Sequence, residues 1–167
     1  MFLLVYNIFK YIRRGIMKRV LLIILAAFIL VSCSSKETVN LESMTVKEIV
    51  DYTADIKNFE VDSIKETADN RYRVILKTEI LSSGTARKEF LMDTQDLLIN
   101  LKDKADIQFI NIEWQVEFKD SYGNLEYKPA LRLDFSRETL DKINWDNMDY
   151  NNLDDIADDT WSHPGLE

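Results

Sequence analysis

Few residues in this chain can do covalent or acid–base chemistry, and their spacing narrows the choice further. His163 is the single histidine, and it lies in the tail beyond the last apolar pattern. Nucleophilic catalysis of the Ser-His-Asp or Cys-His kind needs an imidazole that packing holds in place, so a tail histidine is poorly suited to it. The chain has no Gly-x-Ser-x-Gly elbow, no His-Glu-x-x-His pair and no glycine-rich phosphate loop. With four glycines in 167 residues, a backbone phosphate cradle is hard to build. Cys33 is the only cysteine, which excludes an internal disulfide and any Cys-x-x-Cys or zinc cluster.

Carboxylates are what remains. A pair of them can hydrolyse glycosides without a histidine. Glu113 and Glu117 lie on one face of an alternating segment and are the candidate pair, with a solvated sheet face as the plain alternative. The segment Asp146 to Asp159 is rich in aspartate and asparagine, and oxygen-rich loops can bind calcium. Its spacing does not match an EF-hand, because the central glycine and the closing glutamate are both missing. A solvated acidic loop is the alternative, and no metal ligand set is assigned. Trp145, Tyr150 and Trp161 are spread through the same stretch. Exposed beside charges they would form an interaction surface; packed inward they would staple the tail onto the fold.

The net charge is −8, and five positive charges (Lys10, Arg13, Arg14, Lys18 and Arg19) precede residue 33 with no acid among them. Loss of that segment takes the net charge to −13. A domain this acidic is repelled by phosphate backbones and by anionic lipid, which argues against nucleic-acid binding and favours a basic partner.

Met17-Lys18-Arg19 forms a short positive region, Val20 to Leu30 an unbroken apolar run, and Leu30-Val31-Ser32-Cys33 follows directly. That is the layout of a secretory signal, and the run is short of the ~20 residues that a transmembrane helix needs. The segment resembles the signal of bacterial lipoproteins, with Leu30, Ser32 and Cys33 in the lipobox pattern and Val31 a tolerated middle residue. The resemblance implies signal-peptidase recognition at Leu30, Val31 and Ser32, cleavage before Cys33, and acyl chains on the Cys33 sulfur. It also implies a place in the cell envelope. The anchor would sit on the outer face of the cytoplasmic membrane, or in the outer membrane of a two-membrane cell, where Ser34 rather than Asp follows the cysteine. Each buried methylene adds about 0.8 kcal/mol, so two or three chains anchor firmly. Met17 opens a complete signal by itself, so a start at Met17 is the alternative to a longer signal from Met1.

The expected organisation is a signal over residues 1–32, a polar tether over 33–43 and one domain over 44–167 with an acidic tail. Thr45-Val46-Lys47-Glu48 fits a capping box that opens a helix over 45–57, with Val46, Ile49, Val50 and Ile56 on one face. Residues 59–67 and the alternating run from Tyr72 to Ile80 form a hairpin around the Ala68-Asp69-Asn70 turn. Phe90, Leu91, Thr94, Leu97, Leu98 and Leu101 predict a second helix over 85–103. Ile110 to Phe118 and Leu131 to Phe135 form a second hairpin, with Pro129 at an edge or bulge. Ser136 caps a short helix, and Leu153 and Ile156 share one turn. The predicted fold is α+β: a four-stranded antiparallel sheet with helices on one face, in the order α-ββ-α-ββ-α.

The leading expectation for function is a lipid-anchored, non-enzymatic binding module without a cofactor. An acidic inhibitor or immunity-type protein facing a basic toxin or enzyme is a special case of it. The alternatives are a small carboxylate-based envelope hydrolase and a cation-binding lipoprotein.

Overall fold

The computed structural model describes residues 39–79 and 83–166. Leu30, Val31, Ser32 and Cys33 lie outside the described residues, as does Ile80. Asn40 to Glu167 forms one compact unit. It is α+β, with one sheet of five strands in sequential order.

Helix α1 (Val46–Lys57) starts where the capping box requires. The Thr45 hydroxyl accepts from Glu48 N at 3.2 Å, and Glu48 Oε2 accepts from Thr45 N at 2.7 Å. The helix stops at Asn58, whose φ of 61° is left-handed, a state asparagine tolerates well. Val46, Ile49, Val50, Thr53 and Ala54 are buried. Ile56, expected on that face, is instead 58 % exposed. Ten residues on from Val46 the helix has turned 1000°, roughly 80° off the buried line.

Strands β1 (Glu60–Thr67) and β2 (Arg71–Thr78) form the first hairpin, and Asp69 and Asn70 take the positive φ of its turn. Helix α2 (Ser83–Leu101) leads to β3 (Phe109–Lys119), which pairs with β4 (Leu125–Ser136). The shift opposite Trp114 and Gln115 is a bulge that absorbs Pro129 and Ala130. Ser136 caps α3 (Arg137–Lys142), its hydroxyl accepting from Thr139 N at 3.3 Å. A short helix α4 (Leu153–Ile156) then precedes β5 (Asp159–Ser162).

Two features correct the expected sheet. The first is that β2 and β3 are parallel, Tyr72 to Thr78 facing Ile110 to Val116 in unbroken register. Helix α2 carries the chain back along the sheet, so β3 must set out in the direction of β2. The second is that the tail supplies a fifth strand, with Leu131 to Asp134 pairing antiparallel to Asp159 to Ser162. Both long helices pack on one face, over Tyr72, Val74, Leu76, Ile110, Ile112, Trp114, Val116, Leu131, Leu133 and Phe135, all buried. Trp114 centres this layer. Its ring stacks on Phe90 at 4.9 Å, meets Phe59 edge-on at 5.0 Å, and donates from Nε1 to the buried Thr94 hydroxyl at 2.9 Å. No helix among the described residues is long and apolar enough to cross a membrane.

Candidate functional site

The expected site residues fall in different places. Glu113 is on the outer sheet face yet only 5 % exposed. The Arg73 guanidinium at 2.9 Å and the Gln115 amide at 2.7 Å occupy its two oxygens. Glu117 is exposed on the same strand, about 13 Å along it by strand rise. The structure does not bring these two carboxylates together over a shared cleft. Trp145 and Tyr150 pack half-buried against the core, with Lys88 over the Tyr150 ring at 5.8 Å. Trp161 is exposed on β5, paired in register with Arg132 on the outer face. His163 sits beside Phe118 at 4.8 Å, and its Nδ1 accepts from Gly165 N.

Four of the six acids of the 146–159 segment have structural work. Asp149 caps the turn at Tyr150–Asn152, and Asp154 pairs with Arg87. Asp158 accepts from Ser136 N and from the Thr139 hydroxyl, and Asp159 from Arg132 at 3.3 Å. Burial raises the Asp158 carboxyl, but these hydrogen bonds together hold it below the ordinary range. Among the described residues no set of three or more acidic, imidazole or thiol groups is arranged to hold a metal.

Two clefts mark opposite ends of the sheet. One, of about 470 Å³, gathers Met44 to Lys47 with Glu66, Tyr72, Lys104 and Asp106. It lies where the chain enters the fold, and Thr45, Lys47 and Lys104 are engaged there, while Glu66 and Asp106 make no ion pair among the described residues. Thr45 is in the capping box, and Lys104 donates to the Glu42 carbonyl at 2.8 Å.

The other, of about 430 Å³, lies where α1 ends, β1 begins and β2 finishes, against α2 and Tyr127 of β4. Its wall holds Glu60, Glu79, Glu89 and Asp93. None of the four makes an ion pair or a side-chain hydrogen bond among the described residues. Its two lysines are committed to acids outside the lining, Lys57 to Asp96 and Lys77 to Asp62. Burial pushes the Asp93 carboxyl up to about 6; Asp96 and Glu89 push the same way, and Lys57 only partly opposes them. Phe59 and Tyr127 give the cleft aromatic surface, with Lys77 over the Tyr127 ring at 5.0 Å. Such a place can hold a cationic group, and its one half-buried acid can give or take a proton near pH 6.

The cleft is not legible in the sequence because its acids come from two elements, β1 and α2, and a connection. The one local signal was Glu89 and Asp93, a like-charged i,i+4 pair that a surface helix ordinarily avoids. No family model, curated protein or solved structure matches the chain.

Proposed function

We propose that this chain is a lipid-anchored, non-enzymatic binding module of the bacterial cell envelope, held by acyl chains on Cys33. The observation that carries the reading is the signal layout ending at Cys33, with Leu30, Val31 and Ser32 as the recognition residues. The fold is consistent with it. A cleft with uncommitted carboxylates supports binding rather than a purely structural role.

Mass spectrometry of the N-terminus after expression in a bacterium tests the anchor. The mature chain should begin at Cys33, carry a diacylglyceryl mass and sediment with membranes, whereas Cys33→Ala should carry no lipid. An acyl-free mature chain would refute the reading.

One observation favours a second reading. A half-buried acid with a pKa of about 6 beside further carboxylates is also what a carboxylate hydrolase would use as its general acid. Release of sugars from cell-wall glycan, abolished by Asp93→Asn, would establish it. Equal and negligible release by both proteins would remove it.

A further inference from the structure

We infer that the outer face of the sheet, opposite the two long helices, packs against the same face of a second copy of this chain, the two copies being related by a twofold axis that runs along β3. The inference goes beyond the binding-module reading and does not depend on the lipid anchor.

Lys65, Arg73, Asn111, Asp134 and Asp159 stand in register across the five strands, one from each. The two on the β1–β2 side are basic, the two on the β4–β5 side are acidic, and the central one is neutral. Each half sets like charges directly opposite one another, which costs stability in an isolated sheet. Compensation within the chain is partial. Arg73 reaches Glu113, Asn111 donates to Asp134, and Arg132 reaches Asp159 at 3.3 Å. Lys65 makes no ion pair among the described residues, and Lys65, Arg73 and Asp159 all stay exposed. A twofold axis along β3 reverses this row on the second copy. Lys65 and Arg73 of each copy then face Asp159 and Asp134 of the other, so the face is complementary to itself, as an isologous interface requires. The chain as a whole carries a charge of −8, so association rests on this local match and not on net charge.

The sheet geometry suits that axis. β3 is the middle strand of five, so β1 and β2 of one copy fall over β5 and β4 of the other. Facing sheets pack about 10 Å apart and nearly aligned, a gap that a lysine and an aspartate side chain close together. On the axis the charge is already spent. Glu113 is 5 % exposed and held by Arg73 and Gln115, so the two copies meet there without bare carboxylates. The adjacent row runs Ser63, Ile75, Glu113, Arg132 and Trp161. The same axis lays the exposed Trp161 indole of one copy over Ser63 and the half-buried Ile75 of the other, which takes apolar surface out of water. Five strands and the length from Arg71 to Lys77 span roughly 24 Å by 23 Å. Two such faces cover on the order of 1,100 Å², the range of weak specific interfaces.

Sedimentation velocity of the full-length protein in nonionic detergent tests this. The wild-type chain should pass from monomer to dimer with a Kd on the order of 1–100 µM. Lys65→Glu and Asp159→Lys should each weaken the dimer about tenfold or more, because each sets two like-charged contacts across the axis. Combining both in one chain makes each contact attractive again, and should return Kd to within about threefold of wild type. An equimolar mixture of the two single variants should associate equally well, as a heterodimer. A wild-type chain that stays monomeric at about 500 µM overturns the inference. A dimer that neither single variant weakens also overturns it, since a shared micelle or another face would then hold the copies together. So does a loss that the combined variant fails to recover.

Discussion

The two ends of the sheet are built from similar material and treat it differently. At the entry end, several polar groups are drawn into caps. Asn40 accepts from Glu42 N, Thr45 and Glu48 close a capping box, and Lys104 holds the Glu42 carbonyl. Arg137 reaches the Lys104 carbonyl, and Asp158 ties Ser136 and Thr139 together. At the far end, four acids and two lysines line a cleft in which none of the acids makes an ion pair among the described residues, and two large apolar side chains stand in solvent on a hairpin tip. The first arrangement stabilises the fold. The second contributes little to it and keeps its charges available. The contrast indicates where selection for stability gives way to something else.

Substitutions at the two ends should behave differently. The largest effect belongs to the layer both ends share. Trp114→Ala empties the space between Phe90 and Phe59 and orphans the Thr94 hydroxyl, so it should cost about 3–5 kcal/mol in denaturant unfolding. At the entry end, Asp158→Ala should cost about 1–2 kcal/mol, because two donors on the Ser136 cap lose their acceptor. Thr45→Ala should cost about 1 kcal/mol through the lost cap.

At the cleft the sign reverses. Folded Asp93 holds its proton up to about pH 6, against an ordinary value of 3.8. Its contribution to stability is therefore fully present below about pH 3.8 and is lost as pH rises through about 6. Asp93→Asn should raise the melting temperature at pH 7 and flatten the pH profile between those limits. A lower melting temperature at pH 7 would mean that Asp93 has a stabilising partner and that the two ends are alike. The smallest effect is expected at the hairpin tip, where Tyr122→Ala should change stability by less than ~0.5 kcal/mol.

What was legible in the sequence was local. Thr45 and Glu48, the apolar spacing of Phe90 to Leu101, Ser136, the Ala68-Asp69-Asn70 turn and the alternation through Trp114 each act within a few residues. They place the capping box, both long helices, the hairpins and the buried sheet face. The rest depends on partners distant in the chain. Asp159 to Ser162 has no apolar alternation, and it is a strand because β4 offers an unpaired edge. The parallel pairing of β2 and β3 follows from the course of α2, which no residue in either strand encodes. Glu113 reads as a surface acid until Arg73, 40 residues away, closes over it. The cleft is the extreme case, since Glu60, Glu79 and Asp93 meet only through the tertiary fold.

If the anchored domain captures a partner, in-cell crosslinking of the lipidated protein should trap that partner on it. Adducts would be identified by mass spectrometry beside Cys33→Ala as the unanchored control. One dominant basic protein, crosslinked to the anchored chain and lost in the control, is the predicted result. An adduct pattern identical with and without the anchor, or no specific adduct at all, would contradict it.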